Sequence, residues 1–308
     1  MNPGELAQLI ELDKCGFLIS GDESAADFLL RVEKIRKVYA DFELMLADGE
    51  PIRLFDLFEV SAGQRILPEL AGEAAEITRN LYGFAVSHVP GFYLTRQIGW
   101  LWGGCLIGDP DENFAVFLLR DAFRKHKRFL NYRREELLAH ELCHSVRQVM
   151  DEPVLEEYFA YQTSPSPLRR YLGNCFTSDR DAWGFLLPVM LLPAAELLRA
   201  LWNPAFPSWI FWILAAVYPA FLLIRNFRSR RLVDRARRSL INAGAKQVEA
   251  VLFRCTLSEI AGFAAMSADE ADKWITGKCQ QSPRWQVIYE RFFRADGTGN
   301  SEDKSNEN

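Results

Sequence analysis

Residues 200–224 contain no charged side chain, and no other feature of this 308-residue chain constrains its fold as strongly. A helix that crosses a bilayer needs about 20 predominantly apolar residues, and this run exceeds that length. A second uncharged run covers 182–195, with Pro188 and Pro193 inside it, and only Glu196 and Arg199 interrupt the two. The prolines make this shorter run either a kinked span or a re-entrant segment. Asn203-Pro204 and Pro207 supply a turn, so the whole of 182–224 reads as a helical hairpin. Arg225, Arg228, Arg230, Arg231, Arg235, Arg237 and Arg238 follow at once. Such a cluster beside a span marks the cytoplasmic side and suits anionic lipid headgroups. The expectation is a two-span, multi-pass membrane protein whose soluble parts both face the cytoplasm and whose partners include membrane lipid. The competing reading is a hairpin buried in a soluble core.

The chain before the hairpin changes period twice. Residues 22–48 place Phe28, Leu29, Val32, Ile35, Val38 and Tyr39 at helical spacing, and 67–82 form a second helical stretch stopped by Gly83. Short aromatic or β-branched runs at 84–86, 92–94, 100–107 and 115–119 are separated by Pro90-Gly91, Gly103-Gly104 and Gly108-Asp109-Pro110. They predict a small meandering sheet. Helical spacing returns over 133–150, and Pro153 fits the first turn of another helix that runs to about 163. The fold class is therefore α+β for 1–181, followed by the hairpin at 182–224. A basic helix and small helical module at 225–295 come next, then a disordered tail at 296–308.

In the module, 258–266 and 267–275 read as two short helices with Ser258 and Ser267 as caps. Glu259, Asp269, Glu270 and Asp272 oppose phosphate, and with a net charge of −5 no nucleic-acid partner is expected. The six cysteines stand singly, and residues 1–14 carry Glu5, Glu11 and Asp13, so neither a disulfide framework nor a secretory signal is expected.

Chemistry concentrates at His140-Glu141-Leu142-Cys143-His144. Histidines four apart on a helix point from one face and can hold one zinc ion, with the intervening Glu141 beside it as general base. A third protein ligand is required. Past the tight link at 151–153, Glu156-Glu157-Tyr158-Phe159-Ala160-Tyr161 lies on the next helix. Val154, Glu157, Tyr158 and Tyr161 share a stripe, which makes Glu157 the expected ligand, with Glu156 as the alternative. Ala160 leaves room for the two helices to approach.

With His140, Glu141, His144, Glu157 and Ala160 in this order, the region 114–163 resembles the gluzincin metallopeptidases, minigluzincin-like in scale. The resemblance implies a zincin-like domain with His140, His144 and Glu157 as zinc ligands and Glu141 as the catalytic base. It further implies a peptide or protein substrate laid along a sheet edge at 115–120. Membrane-anchored members with cytoplasmic sites exist in that group. Tyr161 departs from the pattern, since many members have an aspartate there that orients a histidine.

Among other candidates, His88 reads as structural and His126 as part of a solvated basic loop. Arg169 and Arg170 either flank the membrane entry, the favoured reading, or bind a substrate carboxylate. Cys143 is expected to face the core, and Tyr158 and Tyr161 are candidate donors to an oxyanion. The expected function is zinc-dependent hydrolysis of peptide bonds near the membrane. The rivals are a non-catalytic membrane protein that uses the same fold for protein binding, and a regulator whose C-terminal module engages a protein.

Overall fold

A computed structural model of the protein describes residues 1–94, 103–109, 114–130, 132–150 and 152–294. The expected tail at 296–308 lies outside these residues, as do 100–102 of the aromatic run, Pro110 and Asp151. The architecture is α+β, mostly helical, with small sheets and two long apolar helices.

Local signals account for the helices. Ser24 caps Ala25–Ala47 by accepting from the Asp27 amide. Pro68 opens Pro68–Tyr82, and Gly83 closes it in the left-handed region, at φ +74. A side chain at Gly83 would also run into the Phe292 ring. The motif helix is Arg134–Arg147 and the ligand helix is Pro153–Tyr161. A further helix, Pro3–Lys14, was not expected, although Asn2 caps it and Pro3 lies in its first turn.

The sheet beside the motif helix differs from the expected meander in two ways. Residues 84–86 form no strand, and Phe84 and Val86 are instead buried in a loop. Gly91–Leu94 pairs parallel with Phe114–Arg120, and Gly104–Asp109 pairs antiparallel on its other side. The central strand is therefore 114–120, and the expectation that 115–120 forms the sheet edge is corrected: the edges are Gly91–Leu94 and Gly104–Asp109. The physical reason is burial. Phe114 to Leu119 are all buried, alternating between two cores, with Phe117 and Leu119 in one and Val116 and Leu118 in the other. A strand covered on both faces suits the middle of a sheet, while an edge strand tolerates Gly104 and Gly108.

The larger core joins Leu138, Leu142 and Val146 of the motif helix and Phe159 of the ligand helix to Phe253, Trp285 and Phe292 near the C-terminus. The smaller one packs Pro3–Lys14 and Ala25–Ala47 on the other face of the sheet. Asp13 ties the two ends of the chain together. Its carboxylate accepts from Arg254 Nε at 3.0 Å and from the Arg291 guanidinium, and Arg254 also donates to the Tyr82 carbonyl.

The C-terminal pair of helices is Leu257–Phe263 and Ala268–Cys279. Ser267 caps the second as expected, but Thr256 caps the first, in a reciprocal bond with Glu259.

The hairpin consists of Asp179–Leu201 and Trp209–Asn242, both long and apolar enough to cross a membrane. Few of their apolar residues are buried in the protein: 6% of the apolar window in the first and 11% in the second, which excludes the core-hairpin reading. Pro188 and Pro193 lie inside one continuous helix. The arginine cluster continues the second helix and divides by face. Arg225 pairs with Asp181, Arg230 donates to the Tyr171 carbonyl and Arg237 binds Glu249, whereas Arg228, Arg231, Arg235 and Arg238 are exposed.

Candidate metal centre

The centre is built from two helices that cross at small residues. The motif helix buries Leu138, Ala139, Leu142, Cys143 and Val146 against the core, which turns His140, Glu141 and His144 to the other side. The ligand helix buries Leu155, Tyr158, Phe159 and Ala160, and Glu157 projects towards the histidines.

His140 Nε2 and His144 Nε2 lie 3.2 Å apart, and Glu157 oxygens stand 3.6 Å from the first and 3.4 Å from the second. These three residues form a group that could hold a metal ion. The rings are oriented from behind. Glu156 Oε2 is 3.1 Å from His144 Nδ1, and the Nε2 atoms of both histidines face the shared point. Glu156, the alternative ligand of the sequence reading, thus stands behind a histidine and outside the donor group.

Tyr161 has another role. Its ring packs edge-on to His140 at 4.6 Å between centroids. Gly173 makes this possible, because a side chain there would overlap the Tyr161 ring.

Glu141 accepts from the Leu106 amide at 2.9 Å. Arg120 donates across the sheet to the Gly103 carbonyl, so alternate residues of the edge strand, Leu106 among them, turn their amides away from the sheet and towards the motif helix. Burial pushes the Glu141 carboxyl up to about 7, with Glu157 adding to the rise and His144 and the Leu106 amide opposing it. Burial likewise raises Glu157, assisted by Glu156. Burial pushes His140 down to about 3, aided by His144 and Arg169. His144 goes the other way: burial opposes, but the bond to Glu156 and the charges of Glu157 and Glu141 lift it. The cluster therefore sets a neutral imidazole, His140, beside carboxylates and a second imidazole, His144, that favour a proton or a cation.

A cavity of about 230 Å³ opens beside His140 and Glu141, lined also by Tyr132, Glu136, Thr163, Ser164 and Arg169. Arg169 donates to Glu136 at 2.7 Å within it, so its side chain belongs to this cavity and not to the flank of the hairpin; Arg170 is exposed. Glu136, Tyr132 and the Leu106 amide were not singled out from the sequence. Glu136 was within reach, since it stands one turn before His140 on the same helix face.

The remaining candidates lie elsewhere. Tyr158 is buried with its hydroxyl held by Arg237 of the second long helix, and it does not line the cavity beside the histidines. Cys143 is buried in the core and His126 is exposed, both as expected. His88 stacks on Phe17 in a different cavity of about 540 Å³.

No family model, curated protein or solved structure matches the chain.

Proposed function

We propose that this protein is a membrane-anchored zinc metallopeptidase of the gluzincin type. The observation that carries the reading is the donor triangle of His140, His144 and Glu157. Tetrahedral zinc with bonds of about 2.0–2.1 Å requires donors about 3.3 Å apart; the two imidazole nitrogens are 3.2 Å apart, Glu157 Oε2 lies 3.6 Å from His140 Nε2 and Glu157 Oε1 lies 3.4 Å from His144 Nε2. Two imidazoles and one carboxylate also form a donor set that suits zinc and leaves a position for water.

Zinc bound there supplies Lewis acidity and makes a water nucleophilic near neutral pH. Glu141, buried beside the histidines, would take a proton from the attacking water and return it to the departing amine. Its raised pKa, about 7, suits a group that both takes and returns a proton. The edge strand Gly104–Asp109 offers backbone groups along which an extended peptide is held by strand addition. The cavity bounded by Glu136 and Arg169 receives a side chain next to the scissile bond.

The membrane part of the reading rests on the exposed apolar hairpin. Trp183 lies near one end of it, and Trp202 and Trp209 at the other, all largely exposed. Trp183 and Trp202 are separated by about 28 Å along a helix, close to the hydrocarbon thickness that aromatic belts bracket. Glu196 accepts from Trp212 Nε1 and pairs with Arg199 near the turn, which neutralises the charges that interrupt the hairpin. Arg228, Arg231, Arg235 and Arg238, exposed at the opposite end, support a cytoplasmic side for the soluble parts.

Glu141→Gln tests the enzyme against the non-catalytic reading. The variant is expected to retain metal while cleavage of a casein or membrane-protein substrate falls by about 10²–10⁴-fold. Undiminished cleavage contradicts the mechanism.

A further inference from the structure

We propose that the short helix Pro167–Leu172, together with Phe176, is a foot that rests in the headgroup layer of an anionic bilayer beside the two spans. The inference builds on the membrane part of the reading above and is independent of catalysis. It starts from an apolar surface outside the hairpin: Leu168, Tyr171, Leu172 and Phe176 are 67%, 43%, 39% and 43% exposed. Four large apolar side chains on ten residues of a connecting segment form a patch that a watery surface disfavours.

Contacts with the hairpin fix the depth of this patch. The Tyr171 carbonyl accepts from Asn226 Nδ2 at 2.7 Å and from Arg230 Nε at 3.2 Å. Arg225 donates to the Cys175 carbonyl at 2.8 Å, and the Phe176 ring meets Phe185 of the first span at 5.7 Å. The uncharged run ends at Ile224. At 1.5 Å per residue, positions 225–230 therefore occupy the first ~9 Å beyond the hydrocarbon boundary. The headgroup layer is about 5–8 Å thick on each side. A helix docked at this level has its exposed apolar side chains where acyl chains and headgroups meet.

Charge agrees with depth. Across residues 167–181 and 225–231, Arg170, Arg180, Arg228 and Arg231 are exposed, against one exposed acid, Asp179. This excess of guanidinium groups matches lipid phosphates and selects an anionic bilayer over an apolar protein partner.

The foot has a second face. Arg169 lies between Leu168 and Arg170 on the same helix, yet its side chain turns to Glu136 in the cavity beside the histidines. The short helix thus links the cavity beside the histidines to the apolar patch. The substrate class that follows for the proposed peptidase is a chain segment just where it leaves the membrane.

The test is photocrosslinking on the full chain in phosphatidylglycerol–phosphatidylcholine vesicles whose acyl chains carry an alkyne. p-Benzoylphenylalanine is placed at position 168, at 213 in the second span, or at 57, where Leu57 is exposed far from the hairpin in sequence. The proposal expects lipid adducts at 168 and 213, each several-fold above position 57, with the yield at 168 falling when phosphatidylglycerol is omitted. Adducts at 213 with position 168 no higher than 57 overturn the foot and leave the spans intact. A protein adduct at 168 in place of lipid also overturns it. Absence of lipid adducts at both 168 and 213 removes the spans and the foot together, without touching the metal centre.

Discussion

Asp13 and Glu157 are both carboxylates that this fold draws out of water, and their surroundings are opposite in kind. Asp13 is answered by the guanidinium groups of Arg254 and Arg291, which are themselves bonded to the carbonyls of Tyr82 and Gly83. The charges close on one another, and the cluster joins the first helix of the chain to the last. Glu157 faces two imidazole nitrogens, with Glu141 and Glu156 close by. There Glu157 is turned towards the histidines, and burial raises both it and Glu141. A closed cluster stabilises a fold; an open one of this composition attracts a cation.

Asp13→Ala breaks the closed side of this comparison and carries the largest expected effect. It leaves Arg254 buried without its carboxylate, and such a loss costs about 3–5 kcal/mol. Chemical denaturation of the reconstituted protein would read it, and a change below 1 kcal/mol would mean that the cluster is not closed as described.

His88 sharpens the comparison, because it is enclosed without a carboxylate to answer it. Burial, and secondarily Arg36, push its imidazole down to about 4 from the ordinary 6.5. The sign follows from proton binding: between these values the unfolded chain holds the proton and the folded chain does not. Stability attributable to His88 is thus complete above pH 6.5 and is lost as pH falls towards 4, by at most about 3 kcal/mol. A pH series with His88→Phe is expected to flatten that slope; an unchanged slope contradicts the assignment.

Glu156→Ala weakens the open cluster from behind. The His144 ring loses its orienting carboxylate, and metal affinity is expected to fall by about 10–100-fold while unfolding stability stays near that of the wild type. Chelator competition measures it, and unaltered affinity would show that Glu156 does not orient the ring. The smallest effect belongs to Thr256→Ala, which removes a helix cap outside the metal group and is expected to cost about 1 kcal/mol. A loss of metal affinity in that variant would contradict the separation between folding and site.

How far these features were legible depends on how local their signals are. His140, Glu141 and His144 are set by helical spacing, and Glu157 by its stripe on the next helix, so the metal group could be assembled from the sequence. The helix cap at Thr256 was equally local, a threonine three residues before Glu259, but Ser258 competes with it in the same run. The order of the strands was not legible, because the parallel pairing of Gly91–Leu94 with Phe114–Arg120 depends on a crossover and on which strand is covered on both faces. Nor was the pairing of Asp13 with Arg254, which lies 241 residues away in the chain. The arginines after the apolar run read as one block, and only the contacts at Arg225, Arg230 and Arg237 separate the inward residues from the exposed ones.

The most direct measurement is the zinc content of the purified full chain, by elemental analysis, beside His140→Ala and Glu157→Ala. The account predicts one zinc ion per chain in the wild type and its loss in both variants, with each variant still folded by circular dichroism. Equal zinc in all three proteins would contradict it.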